Sequence, residues 1–172
     1  MAYVIWFTGI SGSGKTTLAR RLKQELERRY ASVELIDGDA VRDFFEHDLG
    51  YTRRERIMNV KRIAFAAHLV AKNGILVIVA NIAPYVEVRD FIRRHMPDYI
   101  QIYLKVPLET AIERDVQGHY KRYRQGSEKN IVGLDDSYET PRNPDLVIDT
   151  SNKTPQESVR SVLEYLKTHH NI

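Results

Sequence analysis

The stretch GISGSGKT, Gly9 to Thr16, constrains this chain more than any other. It fits the pattern G-x-x-x-x-G-K-[ST], follows the apolar run Val4 to Phe7, and opens onto Leu18, Ala19, Leu22 and Leu26 at helical spacing. A strand, a glycine-rich turn and a helix, in that order, are what the motif needs. Glycines let the backbone N–H groups point at phosphate oxygens, and the helix N-terminus adds its dipole. Gly9, Ser11, Gly12, Ser13 and Gly14 would form the cradle, with Thr17 beside it. Lys15 would bridge the β- and γ-phosphates, and Thr16 would hold Mg²⁺ through its hydroxyl. The plain alternative is a glycine-rich turn with an exposed lysine. Nothing structural asks for Lys-Thr after the last glycine, so ATP with Mg²⁺ is the expected ligand.

The remaining pattern alternates strands and helices. Val33 to Ile36 and the β-branched run Ile75 to Ala80 read as strands, as do Tyr99 to Val106 and Leu146 to Ile148. Helices are expected over Lys15 to Tyr30, Val41 to His47, Thr52 (as N-cap) to Lys72, Pro84 to His95, Pro107 to Gln117 and Pro155 to Lys167. The fold class is therefore α/β: a P-loop NTPase fold with a five-stranded, mostly parallel sheet and helices on both faces. One kinase-like domain over 1–172 is expected. Residues 118–144 are polar and carry no clear element, and so long a stretch in a compact domain is expected to be a lid, as in nucleoside-monophosphate kinases.

Composition removes several classes. No cysteine is present, which excludes disulfides, thiolate metal sites and a thiol nucleophile, and suits a cytoplasmic protein. No apolar run approaches a membrane span, and MAYVIWFTG lacks the basic start of a signal peptide, so no membrane partner is expected. The net charge is +3, and the basic residues cluster in two stretches, Arg53 to Arg62 and Arg114 to Lys129. Without the interleaved aromatics of a nucleic-acid module, these read as two walls of a site for a small anion, and no nucleic-acid partner is expected. A guanine-reading N/T-K-x-D segment is missing and the chain is short for a motor. A small-molecule kinase is the best reading of the phosphate loop.

The acceptor side centres on IDGDAVR, Ile36 to Arg42, at the end of the second strand. In such sheets ligands bind beyond the carboxyl ends of the strands, so Asp37 and Asp39 would face the phosphate loop. One carboxylate there can hold a magnesium water or take the proton of an attacking hydroxyl. Arg42 can hold an acceptor anion bidentately. The alternative for Asp39 is an Asx turn that caps the next helix.

With these pieces in hand, the sequence resembles the adenylylsulfate (APS) kinase family over nearly its whole length. GISGSGKTT matches that family's phosphate loop, and IDGDAVR its L-D-G-D-x-x-R. DLGYTRRERIMNVKR is similar to D-L-G-F-S-x-x-D-R-x-E-N-I-R-R, ANIAPY to I-S-P-Y, and RDVQGHYKR to R-D-P-K-G-L-Y-K-K. NIVGLDDSYE resembles G-F-T-G-I-D-D-P-Y-E, and PDLVIDT matches the final strand. The resemblance implies transfer of the ATP γ-phosphoryl to the 3′-hydroxyl of adenosine 5′-phosphosulfate, and a homodimer. It implies that Arg42, Arg56 and Asn59 hold the acceptor's phosphosulfate and ribose, and that Tyr51 stacks on its base. Ile82 would touch the acceptor through the backbone, beside Ala83. Lys121 would close over the reacting phosphates from the lid, and Arg114 would lie against the adenine of ATP. Asp37 would be the magnesium-water ligand or general base, with Asp39 orienting the 3′-hydroxyl. Arg122, Arg124 and Lys129 read as solvated lid charges.

The sequence departs from the family pattern at four places. Ala83 stands where the family has a serine that is phosphorylated in some members, so a direct in-line transfer is implied. Val86 replaces an arginine, and Met58 a glutamate. Ile131 replaces the lid phenylalanine on the second face of the acceptor base, which weakens stacking by about 1 kcal/mol. That change keeps two alternatives open: another nucleotide 3′-hydroxyl as acceptor, such as cytidine diphosphoramidate, or a nucleotide-binding relative without this activity.

Overall fold

The computed structural model describes residues 2–115 and 117–172. Five strands form one sheet: β1 (Val4–Thr8), β2 (Val33–Asp37), β3 (Leu76–Ala80), β4 (Tyr99–Lys105) and β5 (Leu146–Asp149). Their spatial order is β2-β3-β1-β4-β5, and every pairing is parallel. The seven helices among the described residues are α1 (Lys15–Leu26), α2 (Gly38–Phe44), α3 (Arg53–Lys72), α4 (Val86–His95), α5 (Leu108–Arg114), α6 (His119–Arg124) and α7 (Pro155–His170).

Side-chain alternation along β1 explains the layering. Val4 and Trp6 point to one face and join Val60, Ile63 and Ala67 of α3 with Val88 and Ile92 of α4. Ile5 and Phe7 point to the other and join Leu18 and Leu22 of α1 with Val159 and Val162 of α7. β3 divides in the same way, with Val77 and Val79 on the first face and Ile78 and Ala80 on the second. A parallel strand covered on both faces must be apolar throughout, which is why both runs lack polar alternation.

Helix starts follow from local chemistry. Thr52 and Thr154 each form a capping box, with Glu55 and Glu157 respectively. Several expected boundaries differ, among them the end of α2 at Phe44 rather than His47, the start of α4 at Val86 rather than Pro84, and the end of α7 at His170 rather than Lys167. α1 ends at Leu26, short of Tyr30, because Leu26 is its last buried residue and Glu27 to Arg29 are exposed before Tyr30 packs back against the core. α5 ends at Arg114, where Asp115 takes a positive φ of 21°. α2 begins at Gly38, not Val41, because Asp37 caps it. The polar stretch 118–144 also holds one short helix, α6, which starts after Gly118 in the left-handed region at φ 72° and packs Tyr120 against Ala111 and Ile131.

Candidate active site

The carboxyl ends of β1, β2 and β3 open onto a cavity of about 430 Å³. Ser11 to Leu18 line its floor, Asp37, Gly38, Asp39 and Arg42 one wall, and Asn81 to Pro84 the segment beyond β3. Lys15 folds over the loop and donates to the carbonyls of Gly9 at 2.9 Å and Ile10 at 2.8 Å. Desolvation within the loop pushes its ammonium down to about 8, against the upward pull of Asp39 and Asp37. The Thr16 hydroxyl donates to Asp37 Oδ2 at 2.9 Å, which links the helix after β1 to the end of β2.

The two acids of IDGDAVR take different parts. Asp37 is the helix cap: its Oδ1 accepts the Asp39 N–H at 3.0 Å. The alternative that gave this role to Asp39 is corrected by that contact. The cap belongs to the last strand residue, and Asp39 falls in the first turn, where its side chain lines the cavity. Gly38 between them is required by packing, because a Cβ there would collide with the Asn81 carboxamide. Arg42 donates to the carbonyls of Leu49 at 2.8 Å and Gly50 at 3.2 Å and lies 4.5 Å from the Tyr51 ring centre.

Arg56, Asn59, Tyr51, Ile82, Ala83 and Ile131 also line the cavity. Arg56 is buried and shared among the carbonyls of Tyr51 and Asn130 and the carboxylate of Asp136, 3.0 Å away. Burial pushes its guanidinium down from the ordinary value, and Asp136 pulls it back. Ala83 holds a positive φ of 41°, pinned by its N–H to Asn81 Oδ1 at 3.0 Å and by the buried Arg89, which donates to its carbonyl at 2.5 Å. The Ile82 carbonyl accepts from the Thr8 hydroxyl at 2.5 Å. Arg114 lines the far end and spans from Gly12 to Thr150, donating to the Thr150 carbonyl at 2.5 Å. Lys121 stands apart: its backbone N–H caps onto Asp115, and it lines a small recess with Ile112 and Arg124 outside the main cavity. Gly9 lies beneath the loop as an acceptor for Lys15 and is also absent from the cavity wall.

The lid is fastened by the run LDDSYE. Asp135 accepts from the Asn130 and Ile131 N–H groups at 2.7 and 2.5 Å. Asp136 accepts from the Tyr85 hydroxyl at 2.8 Å; burial first, then this contact, pushes that phenol up to about 12. Tyr138 meets the Thr8 hydroxyl at 3.0 Å, and Glu139 caps α4 at the Val86 N–H, 2.6 Å away, while also holding Arg53 at 3.0 Å. From the other end of the lid, the Tyr120 hydroxyl donates to the Ser11 carbonyl at 2.9 Å. Ile131 is thereby held in the cavity wall with only 7% of its surface exposed.

The sequence model of the adenylylsulphate kinase family matches residues 1–149. The chain belongs to that family. It is 43% identical over 163 residues to an adenylyl-sulfate kinase of Deinococcus deserti, covering 95% of this chain and 90% of that protein. It is 40% identical over 162 residues to an adenylyl-sulfate kinase of Picosynechococcus, covering 94% and 92%. Its fold superposes on the APS kinase of Mycobacterium tuberculosis, in complex with AMPPNP and APS, with a TM-score of 0.91 at 32% identity, covering 96% and 98% of the two chains.

As an APS kinase family member, the chain places more in its cavity than sequence reasoning named. Gln117, His119, Glu128, Lys129, Asn130 and Lys153 also line it. Lys129 had read as a solvated lid charge, and Arg122 pairs with Glu128 at 2.8 Å. Within LDDSYE, the partners of Asp136, Tyr138 and Glu139 lie some 50 to 130 residues away in the chain and leave no local signal.

The Lys15 environment yields a test. Triphosphate oxygens would raise its pKa, so binding takes up a proton wherever the free ammonium is already lost. Affinity for ATP should be flat below about pH 8 and fall by up to tenfold per pH unit above it. Calorimetric titration across that range checks this. An affinity that rises or stays flat above pH 8 contradicts it, and Lys15→Met should bind weakly without this pH dependence.

Proposed function

We propose that this chain transfers the γ-phosphoryl group of ATP to the 3′-hydroxyl of adenosine 5′-phosphosulfate, giving ADP and the 3′-phosphorylated product. The observation that carries the reading is a single cavity with the phosphate loop at one end and Arg42, Tyr51, Arg56 and Asn59 at the other. Asp37 and Asp39 sit between them.

The loop backbone and Lys15 would hold the triphosphate, and Arg114 would lie against its adenine. Thr16 and Asp37 are oxygen donors already 2.9 Å apart, and no larger cluster of metal-ligating side chains exists among the described residues. That fits Mg²⁺, which is typically held by one or two carboxylates together with phosphates and waters. When bound, it neutralises charge between the β- and γ-phosphates. Tyr51 would stack on the acceptor base, Ile131 would form the opposite wall, and the backbone of Ile82 and Ala83 would bracket it. Arg42, Arg56 and Asn59 would take the phosphosulfate and ribose. The 3′-oxygen, oriented by Asp39, attacks the γ-phosphorus as the bond to the ADP oxygen breaks. Its proton passes to Asp37 directly or through a water. Such transfers are driven mainly by positioning and charge neutralisation, and a lid over 118–144 carrying Lys121 would exclude water. With Ala83 in place of a serine, no phosphoserine can form there.

We further infer a homodimer of single-domain chains. Support comes from an apolar stripe on α3, where Met58, Phe65 and Leu69 are 41%, 65% and 44% exposed, together with the exposed Phe44 and Phe45 at the end of α2. ATP use and the lack of cysteine favour the cytoplasm. No helix among the described residues is long and apolar enough to cross a membrane.

Two measurements test these readings. Incubation with ATP-Mg²⁺ and a panel of nucleotides bearing a 3′-hydroxyl, with products identified by mass, should show phosphorylation of APS. Activity confined to a cytidine nucleotide would move the acceptor, and no acceptor-dependent ADP would overturn the enzyme reading. In the same assay Asp37→Asn should lose more than about a hundredfold in turnover while retaining ATP binding; near wild-type turnover would remove Asp37 from its role. Sedimentation velocity should show a dimer that Phe65→Glu dissociates. A wild-type monomer at micromolar concentration would contradict the dimer.

A further inference from the structure

Gln117 and His119 have no part in the mechanism above, yet both face the reacting end of the cavity. They stand where the quoted family pattern has a lysine and a leucine. Gly118 between them has φ 72° and opens α6, which turns the chain so that both flanking side chains line the same wall.

The Gln117 amide Nε2 donates to Asp39 Oδ2 at 3.0 Å, across 78 residues of chain. A carboxylate only accepts, so the amide nitrogen must be the end that faces it, and the amide oxygen turns to His119 Nε2 at 2.8 Å. His119 Nδ1 meets Glu128 Oε1 at 2.5 Å, and the other Glu128 oxygen accepts from Arg122 Nε at 2.8 Å. Arg122 closes the ring by donating to the Gln117 carbonyl at 2.8 Å, with a second nitrogen 3.0 Å from His119 Nδ1. The lid thus carries a self-supporting network that, among the described residues, meets the opposite wall at the carboxylate of Asp39.

We propose that Gln117, backed by His119, is the positioning residue for Asp39. By tying Oδ2 to the lid, it leaves Oδ1 turned to the acceptor hydroxyl and couples the alignment of that hydroxyl to lid closure. This rests on the role given to Asp39 above. The contacts are largely exposed, so each is individually weak, as suits a latch that must open in every turnover. A surface hydrogen bond without function would be indifferent to the charge placed at 117. A positioning bond is not.

The test compares the full-length wild type with Gln117→Ala, Gln117→Glu, Gln117→Lys and His119→Ala. Steady-state kinetics use ATP-Mg²⁺ and APS, and melting temperatures confirm folding. Gln117→Ala should lower kcat about tenfold, the loss of one charge-assisted hydrogen bond, with KM for ATP near wild type. Gln117→Glu, which sets a second carboxylate against Asp39, should fall further. Gln117→Lys keeps a donor and should recover most of the loss. Equal kcat in the alanine variant, or equal loss in the glutamate and lysine variants, overturns the proposal. Hydrogen exchange reads the latch without catalysis: Gln117→Ala and His119→Ala should speed exchange of the α6 amides severalfold. Should the wild type phosphorylate no acceptor, the proposed function fails, and unchanged α6 exchange in both variants would separately sink the latch.

Discussion

Parallel pairing is the constraint on which the rest of this structure depends. Every strand must return to the same end of the sheet, so each connection crosses back over a face and every strand delivers its next residues to one edge. The phosphate loop after β1, Asp37 at the end of β2 and Asn81 to Pro84 after β3 meet there because of topology, before any side chain is chosen. The hydrogen bond from Thr16 to Asp37 is the first consequence. It joins two segments 21 residues apart and sets the two oxygens proposed to hold the metal beside the phosphate loop.

Gathering Lys15, Arg42 and Arg56 around one cavity, with Arg89 buried behind Ala83, costs solvation, and the fold offsets that cost with acceptors. Lys15 is met by two loop carbonyls, Arg42 by two carbonyls before α3, Arg56 by two carbonyls and Asp136, and Arg89 by the carbonyls of Ala83 and Glu139. Backbone oxygens neutralise little charge, so Arg42, held only by carbonyls, keeps its attraction for an anion, whereas Arg56 is already paired with Asp136. The run Asp135 to Glu139 fixes this wall from the lid side. The strained Ala83 persists because Asn81 and Arg89 hold it from both sides.

The sheet and the phosphate loop were legible in the sequence because they rest on local pattern. Continuous apolar runs such as LVIVA, the glycine spacing of GISGSGKT, and the capping signatures at Thr52 and Thr154 each declare themselves within a few residues. The family resemblance extended this to Arg42, Tyr51, Arg56, Asn59 and Ile131, all of which the fold brings to one cavity. What escaped was long-range. Nothing near Asp136 reveals that it faces Arg56 and Tyr85, and nothing near Gln117 reveals Asp39. The cap at IDGDAVR was displaced by two residues because either aspartate satisfies the local rule, and only the hydrogen bond to Asp39 N–H separates them. Lys121 shows the limit of a motif: its position in the pattern is kept, but its side chain lies outside the main cavity in this conformation.

The proposed function requires the cavity to hold the acceptor so that its 3′-oxygen alone meets the γ-phosphorus. Replacing APS by its 3′-deoxy analogue tests this most directly, with ADP release and product mass measured alongside competition against APS. The analogue should bind in competition with APS, through the arginines and Tyr51, and should yield no phosphorylated product. Phosphorylation of the analogue at another position, or its failure to compete with APS at any concentration, would contradict the assignment of the acceptor site.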